Sequence, residues 1–176
     1  MKTILTIVIV LLIGVAAWTA FVYGGSYSVS VSNHDNAMVN WYLDTGVTRS
    51  IKQHSAGITP PALNNPQMIQ SGAKHFTEMC VQCHGAPGTK PGEIAEGLWP
   101  KAPDLAEAAS DWTAGQLFWI TKNGIKFSAM PAWGPTHTDD KIWAIVAFME
   151  KLPKLSPAHY QQMLANAPAE HEETPQ

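Results

Sequence analysis

Cys80-Val81-Gln82-Cys83-His84 decides how this chain is read. Two thiols separated by two residues, with an imidazole directly after the second, have the spacing for covalent attachment of a c-type haem. The sulfurs would bond to the vinyl side chains and His84 would ligate the iron. Two other chemistries use C-x-x-C. A zinc site needs a second ligand pair at comparable spacing, and the chain has only these two cysteines. A thioredoxin-like redox pair belongs at a helix start in a parallel α/β setting, and no stretch here carries the period-2 alternation of a strand. Haem attachment is the reading that uses all three side chains, with one haem c held through Cys80 and Cys83.

The sixth position on the iron follows from the same chemistry. A thioether there raises the potential and closes the site, whereas an open position admits oxygen chemistry. Met130 lies within Gly124-Ile125-Lys126-Phe127-Ser128-Ala129-Met130-Pro131, a loop between two expected helices. Small flanking residues and a proline let such a segment press a methionine against a flat ring. Met79 and Met149 occupy helical positions and read as core fillers. Met38, Met68 and Met163 lie far from the motif or on terminal elements. His137, just after the loop, is the alternative ligand. The expected iron ligands are therefore His84 and Met130.

Composition bounds the rest. A chain of 176 residues suits one domain with appendages. A formal charge of −3 argues against nucleic acid, which needs clustered Lys and Arg. Seven tryptophans suggest a core built around something large and flat, with Trp18 and Trp41 outside it. Residues 4–23 carry no charge and are mostly Ile, Val, Leu and Ala, about the length needed to cross a bilayer as a helix. Lys2 precedes them and the next basic residue is Arg49, which predicts a cytoplasmic N-terminus and an exported remainder. Trp18, Phe21 and Tyr23 gather at the far end, where aromatic rings favour the interface. A cleavable signal is the competing reading, with Val15-Ala16-Ala17 as its processing site. Either way the remaining chain is expected to be exported; with the anchor kept, the expected location is a bacterial inner membrane, single-pass, with the haem domain in the periplasm or on the outer face.

Four segments are expected: the anchor at 1–23, a linker and possible helical extension at 24–66, the haem domain at 67–153 and a tail at 154–176. Within the extension, about Asp35 to Ala56 is a candidate helix. The prolines at 60, 61 and 66 then demand extended chain. A helix is expected from Pro66 to Gln82. Gly85 to Pro103 is too rich in Gly and Pro for a long regular element, and wrapping a haem edge would account for so long a loop. Further helices are expected over Thr113–Asn123, with Asp111 or Thr113 as N-cap and Gly124 as stop, and over Thr138–Leu152, ended by Pro153. A short one is expected near Pro157–Asn166, and Glu170–Gln176 should be disordered.

These features resemble a class I c-type cytochrome domain over about 67–153, in particular the membrane-anchored monohaem cytochromes of bacterial respiratory chains. Gly72 and Phe76 stand eight and four residues before Cys80, and Ile145-Val146-Ala147-Phe148 matches the aromatic-bearing segment of the family's C-terminal helix. The resemblance implies an all-α fold wrapped on haem, its first and last helices crossing near right angles. It also implies that a proline carbonyl, of Pro100 or Pro103, receives the Nδ1 hydrogen of His84. Trp99, Trp119 and Trp133 either line the haem or simply pack the core. His34, His54, His159 and His171 read as solvated, and His75 as exposed.

With imidazole and thioether on both axial positions, the expected function is electron carriage rather than catalysis. The expected partners are redox proteins at the membrane surface and the lipid bilayer through residues 4–23. Lys74, Lys90, Lys101, Lys122 and Lys126 read either as a weak docking ring for an acidic partner or, more commonly, as scattered surface lysines. Two rivals remain. One is an integral cytochrome subunit of a larger oxidase or dehydrogenase. The other is a ligand-binding haem sensor or peroxidase.

Overall fold

A computed structural model describes residues 1–33 and 36–165; the expectations for His34, His171 and the acidic tail lie outside them. Among the described residues the chain is helical, and the only strand-like feature is an isolated antiparallel bridge between Ala86 and Thr89. It divides into two units, Met1–Asp35 and Asn36–Gln176.

The first unit is helix α1, Lys2–Tyr23, which is long and apolar enough to cross a membrane and has none of its span buried. Two of its threonines satisfy themselves locally: Thr6 Oγ1 donates to the Lys2 carbonyl at 3.0 Å and Thr19 Oγ1 to that of Val15 at 2.8 Å. Internal satisfaction of this kind is what a segment surrounded by hydrocarbon requires.

The second unit is built on two helices, α3 (Pro66–Met79) and α8 (Asp139–Met149). Asn65 caps α3, its side chain accepting from Gln67 N and Met68 N, and Pro66 takes the first helical position, where its missing N–H costs nothing. The buried face of α3 carries Gly72, Ala73, His75 and Phe76. In α8 every residue from Ile142 to Met149 is buried, as expected of a helix apolar all round. The two cross where a Cβ on residue 72 would stand 1.8 Å from the Ala144 carbonyl oxygen, so only glycine fits. Next to the crossing, Phe76 and Phe148 meet with centroids 5.1 Å apart.

Helix α7 (Ala114–Asn123) starts at a capping box of Thr113 and Gln116 and packs on α8 through Phe118 and Trp143, stacked at 4.1 Å. Helix α2 (Ala37–His54) reaches the same body through Ile51, which is fully buried, and packs on α7. After Pro153 the chain turns into α9 (Pro157–Ala165), whose Tyr160 lies in the core and shares a 2.7 Å hydrogen bond with Thr77 of α3. Three short helices, α4 (Val81–His84), α5 (Glu93–Glu96) and α6 (Leu105–Ala108), punctuate the Gly/Pro-rich region.

Three expectations need correction. Helix α3 ends at Met79 rather than Gln82, with Cys80 as its cap. The last core helix ends at Met149, not Leu152: the ring of Pro153 would collide with the carbonyl four residues earlier, that of Met149, and the chain instead forms a 3-10 turn over Leu152–Lys154. His75 is buried rather than exposed. Both flanks of α3 are covered, and the His75 ring meets that of His137 edge-on, centroids 5.9 Å apart.

Gly72→Ala should cost at least the roughly 1–3 kcal/mol of an overpacked core, read as a lowered melting temperature; an unchanged one would refute the close approach. Burial raises the pKa of Tyr160, and the Thr77 hydroxyl opposes the shift. The folded state thus favours the protonated phenol. Its contribution is fully present below the unfolded value of about 10 and is lost as pH rises through the folded pKa. Tyr160→Phe should cost about 0.5–1.5 kcal/mol at neutral pH and flatten that alkaline loss in denaturant titrations.

Candidate haem-attachment site

The motif lies at the C-terminal end of α3, where the helix changes direction without releasing the chain. Cys80 closes α3 by donating its N–H to the Phe76 carbonyl at 2.8 Å, and its own carbonyl accepts from Cys83 N at 3.1 Å and His84 N at 2.9 Å. These bonds bring both thiols and the imidazole onto one turn. Neither cysteine is in a disulfide. Cys80 is buried and Cys83 half-buried. Burial, and then the neighbouring Cys83, push the Cys80 thiol up to about 12, so without a partner it is protonated at neutral pH. Among the described residues no group of three or more His, Cys, Asp or Glu side chains gathers to hold a bare ion. The zinc reading of the motif has no further support.

The ring of His84 is held from behind. Its Nδ1 lies 2.8 Å from the carbonyl oxygen of Pro103. A carbonyl only accepts, so Nδ1 carries the proton and Nε2 presents a lone pair. Of the two prolines expected for this role, the structure uses Pro103. The next residue, Asp104, anchors that stretch by accepting from Ala106 N at 2.8 Å as the cap of α6. Burial lowers the pKa of His84, opposed by the Pro103 bond and the Asp104 charge. The imidazole is thereby kept neutral at physiological pH, the form that coordinates a metal. A neutral, oriented imidazole beside two unpaired thiols on one turn fits covalently attached haem.

Met130 belongs to another segment of the chain, the loop after α7, which is braced at both ends. Gly124 stops α7 with φ +66°, a conformation that favours glycine, and a Cβ there would lie 2.7 Å from Met130 O and Ala132 N. Ile125 N donates to the Met130 carbonyl at 3.1 Å. Ser128 Oγ donates to Ile125 O at 2.8 Å and accepts from Met130 N at 3.1 Å. Downstream, Trp133 N and Gly134 N donate to the carbonyls of Thr121 and Lys122 at 3.1 and 2.9 Å. The methionine backbone is therefore fastened to the end of α7 on both sides. Ser128 and Gly134 escaped the sequence reading. A serine two residues before a loop methionine was a legible signal, because its hydroxyl bonds local backbone readily.

The remaining candidates separate. Trp119 stacks on His54 with centroids 5.8 Å apart. Trp133 meets His137 edge-on at 5.3 Å. His137, the alternative ligand, is packed against Trp133 and His75, and its Nδ1 shares a 2.9 Å hydrogen bond with Thr136. Lys122 does not belong to a free docking ring: it pairs with Asp139 at 2.6 Å and lies over the Phe118 ring. Asp139 is also in the first turn of α8, where a negative charge is favoured.

Two matches with known proteins bear on the same part of the chain. Residues 67–149 match the family described as cytochrome C oxidase, cbb3-type, subunit III. Over 92 residues, 52% of this chain, the sequence is 32% identical to the cbb3-type cytochrome c oxidase subunit FixP of Rhizobium meliloti (strain 1021). The match spans 30% of that relative's length. Over residues 67–149 the chain is thus similar to a cytochrome c subunit of cbb3-type oxidases, and its all-helical fold agrees with that likeness.

Proposed function

We propose that this chain is a monohaem cytochrome that relays single electrons between redox proteins at the membrane surface, with its haem domain on the outer, periplasmic face. The observation that carries the reading is the 2.8 Å bond from His84 Nδ1 to the Pro103 carbonyl. It sets the ring's tautomer and aim before any ligand arrives, as second-sphere partners of metal-bound histidines do. Cys80 and Cys83 would hold one haem c through two thioethers. His84 Nε2 and the Met130 thioether would fill the axial positions. A haem held this way supplies a one-electron ferric/ferrous couple. The protein residues orient it, exclude competing ligands and tune its potential, which is the work of a carrier and not of an enzyme.

Met130 suits the sixth position because its loop is already ordered by Gly124, Ser128 and the α7 carbonyls. Such an arrangement spends little entropy on ligation. In the ferric protein a weak absorption band toward the red should be present with Met130 and absent in Met130→Ala. Reduced wild type should be inert to carbon monoxide and the variant should bind it. A wild-type protein that binds carbon monoxide strongly at neutral pH would support the sensor or peroxidase rival and remove Met130 from the iron.

The setting of the carrier has a second reading with its own support. The family match is to an oxidase subunit, which favours a cytochrome built into a larger membrane oxidase. Solubilisation in mild detergent followed by sizing separates the two. Co-migration of the haem with other redox subunits supports the integral subunit, and migration alone supports the free tethered carrier.

A further inference from the structure

One face of α2 is used neither by the haem site nor by the packing of the domain. Met38, Trp41 and Tyr42 are 77%, 66% and 73% exposed, although Ile51 on the same helix is 1% exposed. At about 100° per residue, Met38, Trp41, Tyr42, Thr45, Arg49 and Lys52 fall on one stripe roughly 100° wide, turned away from Ile51. Its first two turns present a thioether, an indole and a phenol. Its last turns present two cations, both exposed.

Two further features indicate what covers this stripe. The first is continuity with the anchor. Helix α1 ends at Tyr23 and α2 begins at Ala37, and the thirteen intervening residues can span at most about 45 Å. That connection is not a plain polar spacer: Tyr27, Val29 and Val31 are 54%, 90% and 52% exposed. No charged residue occurs between Lys2 and Asp35. The second is the order of chemistry along the stripe. Trp and Tyr favour the headgroup level of a bilayer, and Arg49 and Lys52 follow on the same side, where anionic headgroups attract basic residues.

We propose that α2 is an interfacial foot. Met38, Trp41 and Tyr42 enter the boundary between headgroups and acyl chains, and Arg49 and Lys52 lie against lipid phosphates. The inference rests on the reading of α1 as a membrane anchor. Its consequence is that the haem domain is held at one height and one attitude over the membrane instead of sampling the whole reach of its tether. Encounters with membrane-bound partners are then confined to a thin layer, which raises effective concentration.

The test uses the full-length holoprotein with a protease site inserted after Gly25, reconstituted in phosphatidylethanolamine–phosphatidylglycerol vesicles with the haem domain outside. Uncut protein should sediment with the vesicles; if it does not, the anchor reading fails, and the foot with it. After cleavage the haem absorbance should remain largely with the vesicles. Trp41→Ser with Tyr42→Ser should lower that partition by roughly tenfold, with the haem spectrum and melting temperature unchanged. Arg49→Gln with Lys52→Gln should abolish only the preference for phosphatidylglycerol over pure phosphatidylcholine, and gives an independent reading should the aromatic variant misfold. Complete release of the cut wild-type domain would overturn the proposal. Release from pure lipid with retention on native membranes would also overturn it, because the stripe would then meet a protein.

Discussion

The backbone of α8 passes so close to α3 that the Ala144 carbonyl occupies the space a side chain on residue 72 would need. Almost everything else in the domain is arranged around that approach. It puts Phe76 against Phe148, turning the crossing into an aromatic contact that adds to plain area burial. It also surrounds α8 so completely that eight consecutive residues are buried. Helix α7 stacks Phe118 on Trp143, and α9 packs on α3 with the Tyr160–Thr77 bond while its Tyr160 ring also meets Phe148 of α8. A domain this small has little core to spare, and one carbonyl–glycine contact governs how much of it can form.

The attachment site inherits its position from that crossing. Cys80 is the residue at which α3 ends, so the direction of α3 sets where both thiols and His84 emerge. The Gly/Pro-rich segment then serves a definite purpose: it returns to set the Pro103 carbonyl behind the His84 ring. Met130 is controlled from another direction, through the end of α7 and the hydroxyl of Ser128. Two independently braced segments with complementary donor atoms suit a cofactor whose iron must change charge with little change in geometry.

Local chemistry made much of this visible beforehand. The capping box at Thr113, the stop at Gly124 and the start at Asn65-Pro66 are short-range effects, and each was readable from neighbouring residues. The attachment motif is equally local, since its meaning lies in three side chains within five positions. What escaped the sequence depended on a distant partner. His75 appeared exposed because a lone histidine beside a buried phenylalanine usually points outward, and nothing nearby announces that His137 will meet it. Lys122 read as a free surface cation because its partner, Asp139, belongs to another helix.

The choice between Pro100 and Pro103 shows where the division falls. Residue types and spacing pointed to a helical domain with a haem-attachment motif after a long apolar helix, because attachment chemistry and helix periodicity are both written into adjacent positions. Which carbonyl reaches the imidazole, and which ring meets His75, depended on how the helices came to rest against one another. Those contacts join residues far apart in the chain, and their energies exist only once the chain is packed.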